Sequence, residues 1–175
     1  MTIPNILSLT RLILAFIIGY LLFTEQKNFA ILLIFFAWVT DLLDGYLARK
    51  LKAISELGKI LDPLADKLLV LIIVISLVAK GVISTTTSLF VIGRDITILA
   101  AGLFAARKYK FVIPSNIVGK VSAFLIGFSL FILLLFNPQR NVSLLVEFFI
   151  DSVVVVSLVL YSIYYLKWLK KFKSS

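Results

Sequence analysis

Six long apolar runs divide this chain, near residues 6–24, 28–48, 59–80, 86–106, 116–136 and 144–166. Each approaches the roughly twenty residues that an α-helix needs to cross a hydrocarbon core about 30 Å thick. Between them lie short polar connections: "EQKN", "KLKAISEL", "GVISTT", "RKYKFVIPSN" and "NPQRNVS". No linker, repeat or low-complexity tract interrupts the pattern. It predicts an all-α polytopic membrane protein, six transmembrane helices in a single bundle, with residues 1–175 as one domain.

Composition agrees. Of 175 residues, 61% are hydrophobic and 15% charged, against about 45–50% and about 25% in soluble domains. The opening "MTIPNILSLTRLILAF" has no small-residue cleavage site after a short apolar core, so it reads as a retained first span. The formal charge of +9 does not point to nucleic acid, because no soluble basic domain exists to hold a duplex. The basic residues instead crowd the loop after the second span, the loop after the fourth and the tail, with only Lys27, Lys80 and Arg140 on the opposite side. By the positive-inside rule this places both termini in the cytoplasm, as in a bacterial inner membrane, where the basic residues also meet anionic membrane lipids. Cysteine and histidine are absent. Disulfides, thiol chemistry and the usual zinc ligands are thereby excluded, and so is the commonest general base.

Chemistry must then rest on carboxylates, lysine, arginine and hydroxyls, and one stretch concentrates them: "TDLLDGYLARKLKAISELGKILDPLADKLL", residues 40–69. Asp41 and Asp44 are one helical turn apart on the second span; Asp62 and Asp66 are one turn apart on the third. The short connection returns the third span antiparallel and brings both pairs to one membrane depth. Four such carboxylates repel one another unless a cation compensates them. Hard divalent ions prefer oxygen ligands, and two of them suit a diphosphate, whose oxygens they can bridge. Gly45, Ala48 and Gly58 are small and leave room for a ligand, and Arg49 brings a fork of donors matched to phosphate. Ordinary helix-end charges would not be expected at these spacings beside small residues.

The stretch Asp41-Leu-Leu-Asp44-Gly45-Tyr-Leu-Ala48-Arg49, then eight residues, then Gly58-Lys-Ile-Leu-Asp62-Pro-Leu-Ala-Asp66 resembles the signature of the CDP-alcohol phosphatidyltransferases, D-x2-D-G-x2-A-R-x8-G-x3-D-x3-D. Every defining position is filled. The opening "IPNILSLTR" is similar to that of bacterial members, and the segment "DPLADKLL" to the phosphatidylglycerophosphate synthases and cardiolipin synthases of this fold. The resemblance implies transfer of a phosphatidyl group from CDP-diacylglycerol to an alcohol, with release of CMP. It implies that Asp41, Asp44, Asp62 and Asp66 hold two divalent cations, Mg2+ or Mn2+, with Asp66 also the general base. Gly45, Ala48 and Gly58 would shape the cytidine pocket and Arg49 would hold the diphosphate, with Asn5 and Arg11 on the same side. It further implies a homodimer.

The acceptor is less sharply marked. Glycerol 3-phosphate, the first expectation, requires a second basic pocket, for which Arg94, Arg107 and Lys120 are the candidates. Lys120 resembles the lysine of the Gly-Lys segment in glycerophosphate-accepting relatives. Those relatives carry Arg-Glu where this chain has Arg94-Asp95, and a threonine where it has serine or alanine soon after Lys120. These departures, and the tail "YSIYYLKWLKK", lean toward the cardiolipin-forming branch, whose acceptor is phosphatidylglycerol. Arg94 lies too deep for a purely topological role, and Asp95 is either its partner or that of a neighbouring arginine. Glu147 and Asp151, near the outer end of the last span, read as solvated or structural. A different class, a cation transporter with the four aspartates as its ion path, predicts acids at the bilayer midplane and inverted repeats. Neither is apparent. Polyprenyl transferases also use aspartate pairs, but in two similar copies without the Gly-x2-Ala-Arg insertion.

Overall fold

Helix ends explain how so much helix is joined by so little chain. In the computed structural model, the backbone is described for residues 3–51, 58–109 and 117–173, and side chains for residues 9–40, 64–105, 107 and 117–168. It contains six helices: α1 (Ile3–Phe23), α2 (Lys27–Leu51), α3 (Gly58–Ala79), α4 (Thr85–Tyr109), α5 (Ile117–Phe136) and α6 (Arg140–Lys173). Helix α1 stops at a left-handed residue, Glu25 (φ 62°), and the amides of Thr24 and Gln26 bond back to the carbonyls of Tyr20 and Leu21 at 2.9 Å each. This is the Schellman closure, with glutamate where glycine is usual. A left-handed residue also follows α3, Gly81 (φ 66°), and α5, Asn137 (φ 42°), the latter with Pro138 next. At Glu25 and at Asn137 the chain turns back within a few residues, so that α1 packs on α2 and α5 on α6.

Two compact units result, Met1–Lys80 and Gly81–Ser175. In the first, α1 packs against both α2 and α3. Its core is built from Ala15, Ile18 and Leu22 of α1, Ala30, Ile34 and Ala37 of α2, and Ala65, Leu69, Ile73, Val74 and Leu77 of α3. The small residues let backbones approach closely, the usual route to helix association in lipid. A Cβ added to Gly19 would stand 3.3 Å from Ile72 Cγ2, so α1 and α3 meet there with no spare room.

In the second unit α6 packs against α4 and α5 around Val91, Ile126, Leu130, Leu133, Ile150 and Val154. Ser84 caps α4: its Oγ accepts the Thr87 amide at 3.2 Å. The Ser84 amide in turn donates to Glu147 Oε2 of α6 at 2.8 Å, and Thr87 Oγ1 donates toward the same oxygen at 3.1 Å and toward Asp151 Oδ2 at 3.2 Å. Arg140 Nη1 completes the knot, 2.7 Å from Glu147 Oε1 and 3.2 Å from the Val82 carbonyl. Glu147 and Asp151 are thus part of the joint between α4 and α6.

Three helices are long and apolar enough to cross a membrane among the described residues: Thr85–Ala105, Ile117–Phe136 and Arg140–Trp168. Large apolar groups face outward along the chain, among them Phe16, Tyr20, Phe36, Phe104, Phe124, Leu145 and Phe148, a surface suited to lipid. The protein is an integral membrane protein with six helices where six apolar runs occur. The largest departure is α6, which begins at Arg140, inside the expected connection, and continues through the basic tail to Lys173.

Candidate active site

The aspartate pairs fall on helix, as their spacing requires. Asp41 and Asp44 lie one turn apart toward the C-terminal end of α2, followed on the same helix by Gly45, Ala48 and Arg49. Gly58 opens α3, and Asp62 and Asp66 follow at intervals of four. The side chains of Asn5, Asp41, Asp44, Gly45, Ala48, Arg49, Gly58 and Asp62 lie outside the described residues; Asp66 and Arg11 lie within them.

The structure brings those two together. Arg11 of α1 is buried, its side chain 4% exposed, and its Nη1 donates to Asp66 Oδ1 of α3 at 2.8 Å, while the Asp66 side chain is 50% exposed. Ala65 and Leu69 turn into the core on either side of Asp66, so α3 is locked in rotation and the carboxylate stands where α1 can reach it. A guanidinium fixed in this way orients the carboxylate and puts a permanent positive charge beside it. A carboxylate has two oxygens and about four lone-pair sites, so one arginine bond does not exhaust it. Among the described residues no three potential metal ligands converge. The donor types of the full aspartate set, all carboxylate oxygen with no histidine or cysteine in the chain, fit a hard divalent cation.

The second unit holds the candidate acceptor residues. Arg107 on α4 and Lys120 in the first turn of α5 are exposed. Arg94 is not: it is 5% exposed and surrounded by protein partners. Its Nη1 donates to Asp95 Oδ1 at 2.6 Å; its Nη2 to Ser122 Oγ at 2.6 Å and the Gly119 carbonyl at 3.3 Å; its Nε to Ser157 Oγ at 3.4 Å. The Arg94–Asp95 pairing is therefore real, and the guanidinium also joins α4 to α5 and α6. Sequence reasoning did not single out Ser122 or Ser157 as its partners. The signal available was small hydroxyls inside strongly apolar helices, where such groups find a polar neighbour. Both serines also line a cavity of about 390 Å³ between α5 and α6, with Val121, Leu125, Phe149 and Val156. Its wall is nearly all hydrocarbon.

Comparison with known proteins fits this arrangement. A family model for CDP-alcohol phosphatidyltransferase matches residues 1–164. The CDP-diacylglycerol–glycerol-3-phosphate 3-phosphatidyltransferase of Aquifex aeolicus is 37% identical over 132 residues, 74% of each chain. The enzyme of the same name from Rickettsia bellii is 34% identical over 142 residues, 81% of this chain and 76% of the relative. Human cardiolipin synthase (CMP-forming) is 45% identical over 108 residues, 61% of this chain but 36% of that longer protein. With its aspartate signature placed on α2 and α3 and the family match running through most of α6, the chain belongs to the CDP-alcohol phosphatidyltransferase family.

Proposed function

We propose that this protein transfers the phosphatidyl group of CDP-diacylglycerol to glycerol 3-phosphate, releasing CMP and forming phosphatidylglycerophosphate for phospholipid synthesis. The observation that carries the reading is the ion pair between buried Arg11 and half-exposed Asp66, at the last position of the aspartate signature. The names of the Aquifex and Rickettsia relatives support the acceptor.

In this reading Asp66 takes the proton of the acceptor hydroxyl. The hydroxyl oxygen then forms a bond to the phosphorus that bears diacylglycerol, and the bond from that phosphorus to the bridging oxygen breaks, so that CMP leaves with the electron pair. A hydroxyl is a poor nucleophile while protonated, and in a chain without histidine a positioned carboxylate is the available acceptor. Arg11 aims that carboxylate. Asp41, Asp44, Asp62 and Asp66 would hold two divalent cations, Mg2+ or Mn2+, which when bound neutralise charge on the diphosphate. Gly45, Ala48 and Gly58 make room for the nucleotide, with Arg49 and Asn5 beside the diphosphate. Lys120 and Arg107, exposed and basic, meet the phosphate of the acceptor, and Arg94 stands on that same side.

The proposal extends to the setting. All six helices span the membrane and residues 1–175 work as one catalytic domain, paired with a second copy. The termini and the site face the cytoplasm, where soluble nucleotide leaves while acyl chains stay in the leaflet. A second reading, with phosphatidylglycerol as acceptor and cardiolipin as product, is favoured by the Arg94–Asp95 pair and by the similarity to human cardiolipin synthase.

The test is product identification. Purified protein is given CDP-diacylglycerol with glycerol 3-phosphate, phosphatidylglycerol, inositol phosphate or serine in separate reactions, and the lipid formed is determined. Phosphatidylglycerophosphate supports the first reading and cardiolipin the second. No CMP release with any acceptor would defeat both and leave the cation-transporter class standing.

A further inference from the structure

The first turn of a helix has no intrahelical partners for its amides and is the part that frays most readily. Lys120 sits in the first turn of α5, which begins at Ile117. Any role for its ammonium group depends on what holds that turn in place. Among the described residues, Arg94 grips it at two points. Its Nη2 bonds the Gly119 carbonyl, immediately before Lys120, and the Ser122 hydroxyl, two residues after it. Ser122 Oγ also donates to the Gly119 carbonyl at 3.1 Å, closing a small ring about the turn. The same guanidinium is tethered on α4 by Asp95 and on α6 by Ser157, whose hydroxyl is itself fixed on the Val154 carbonyl at 2.9 Å.

An arginine that reads a substrate phosphate presents its fork to the ligand. Here the fork is turned to protein on α5 and α6, the side chain is buried, and the adjoining cavity is lined by hydrocarbon apart from Ser122 and Ser157, which Arg94 engages, and Ser152, whose hydroxyl bonds the Phe148 carbonyl of its own helix. We infer that Arg94 is a positioning residue: it fixes the first turn of α5 and so the place at which Lys120 offers its charge to the acceptor, without touching the acceptor itself. The inference rests on the reading of Lys120 as an acceptor-phosphate ligand.

Ser122→Ala separates the two roles, because it removes the shorter of the two bonds from Arg94 to the turn, together with the hydroxyl's own bond to the Gly119 carbonyl, and leaves the Arg94 charge in place. With glycerol 3-phosphate as the varied substrate, Ser122→Ala raises its KM about tenfold, the order expected for a lost hydrogen bond to a charged group. The KM for CDP-diacylglycerol stays as in the wild type. Ser157→Ala removes the longer, weaker bond and raises the same KM by less. Ser122→Thr keeps the hydroxyl, has cavity space for its methyl group, and restores the wild-type KM. In a Lys120→Ala background, Ser122→Ala adds nothing further, because the turn no longer carries the group it was placing. An unchanged acceptor KM in folded Ser122→Ala and Ser157→Ala, or full additivity with Lys120→Ala, overturns the inference. Wild-type protein that ignores glycerol 3-phosphate overturns the parent reading as well, and that failure is visible before any variant is made.

Discussion

Two arginine–carboxylate pairs of nearly equal length are built the opposite way round. In Arg11–Asp66, at 2.8 Å, the arginine is 4% exposed and the carboxylate 50%. In Arg140–Glu147, at 2.7 Å, the arginine is 50% exposed and the carboxylate 5%. Glu147 is buried and engaged on both oxygens, since the Ser84 amide and the Thr87 hydroxyl share the one that Arg140 leaves. A carboxylate enclosed in this way is committed to the fold; its removal would strand a helix N-terminus. Asp66 keeps a face to solvent while its cationic partner supplies the rigidity. Contact distance alone would rank the pairs as equals. What separates them is which partner is buried: the carboxylate in the pair at the joint between α4 and α6, the arginine in the pair that joins α1 to α3.

The sharpest way to break this contrast is metal removal. Exhaustive chelation should abolish CMP release, and added Mg2+ should restore it; activity that survives chelation would remove the divalent-cation reading of the aspartates. Next in size is the same carboxylate-to-amide change made in each pair. Asp66→Asn should lower turnover by about 10²–10⁴-fold, the range of general-base catalysis, with CDP-diacylglycerol binding retained. Glu147→Gln should leave turnover per folded molecule unchanged, so equal activity losses would erase the distinction. Lys120→Ala should raise the KM for glycerol 3-phosphate by about tenfold or more, the loss of a charged hydrogen bond, measured with CDP-diacylglycerol saturating. Glu147→Gln should show its effect in stability, lowering the midpoint of thermal unfolding in detergent by the equivalent of about 1.5–3 kcal/mol. The smallest effect belongs to Lys80→Ala, which removes the 3.3 Å pair with the exposed Glu25. Such pairs contribute about 0–1 kcal/mol, so its unfolding midpoint should scarcely move.

What could be read from the chain follows the range of the interactions involved. Local order was plain: the apolar runs mark six helices, and the three- and four-residue spacing of the aspartates fixes their place on helical turns of α2 and α3. Arg11 and Asp66 were each recognisable as candidates, but their contact joins residues 55 positions apart, and nothing in either segment announces it. Glu147 was read as solvated or structural; it is buried, and its structural task depends on an amide 63 positions away. Ser122 was noticed only as a departure from an expected threonine. Its meaning lies in the buried arginine that it bonds across 28 positions. The start of α6 was misjudged because Asn137, Pro138 and Arg140 look like loop residues. The backbone turns at Asn137 and is helical again by Arg140.

Helix α6 has 34 residues, about 51 Å at 1.5 Å per residue, against a hydrocarbon layer of about 30 Å. Its final turns carry Tyr161, Tyr164, Tyr165 and Trp168 interleaved with Lys167, side chains that settle at the boundary between acyl chains and headgroups. The helix therefore works as a plumb line that sets how high the second unit rides in the leaflet. Bilayers of shorter or longer acyl chains should change its tilt, and with it the height of the helices packed against it.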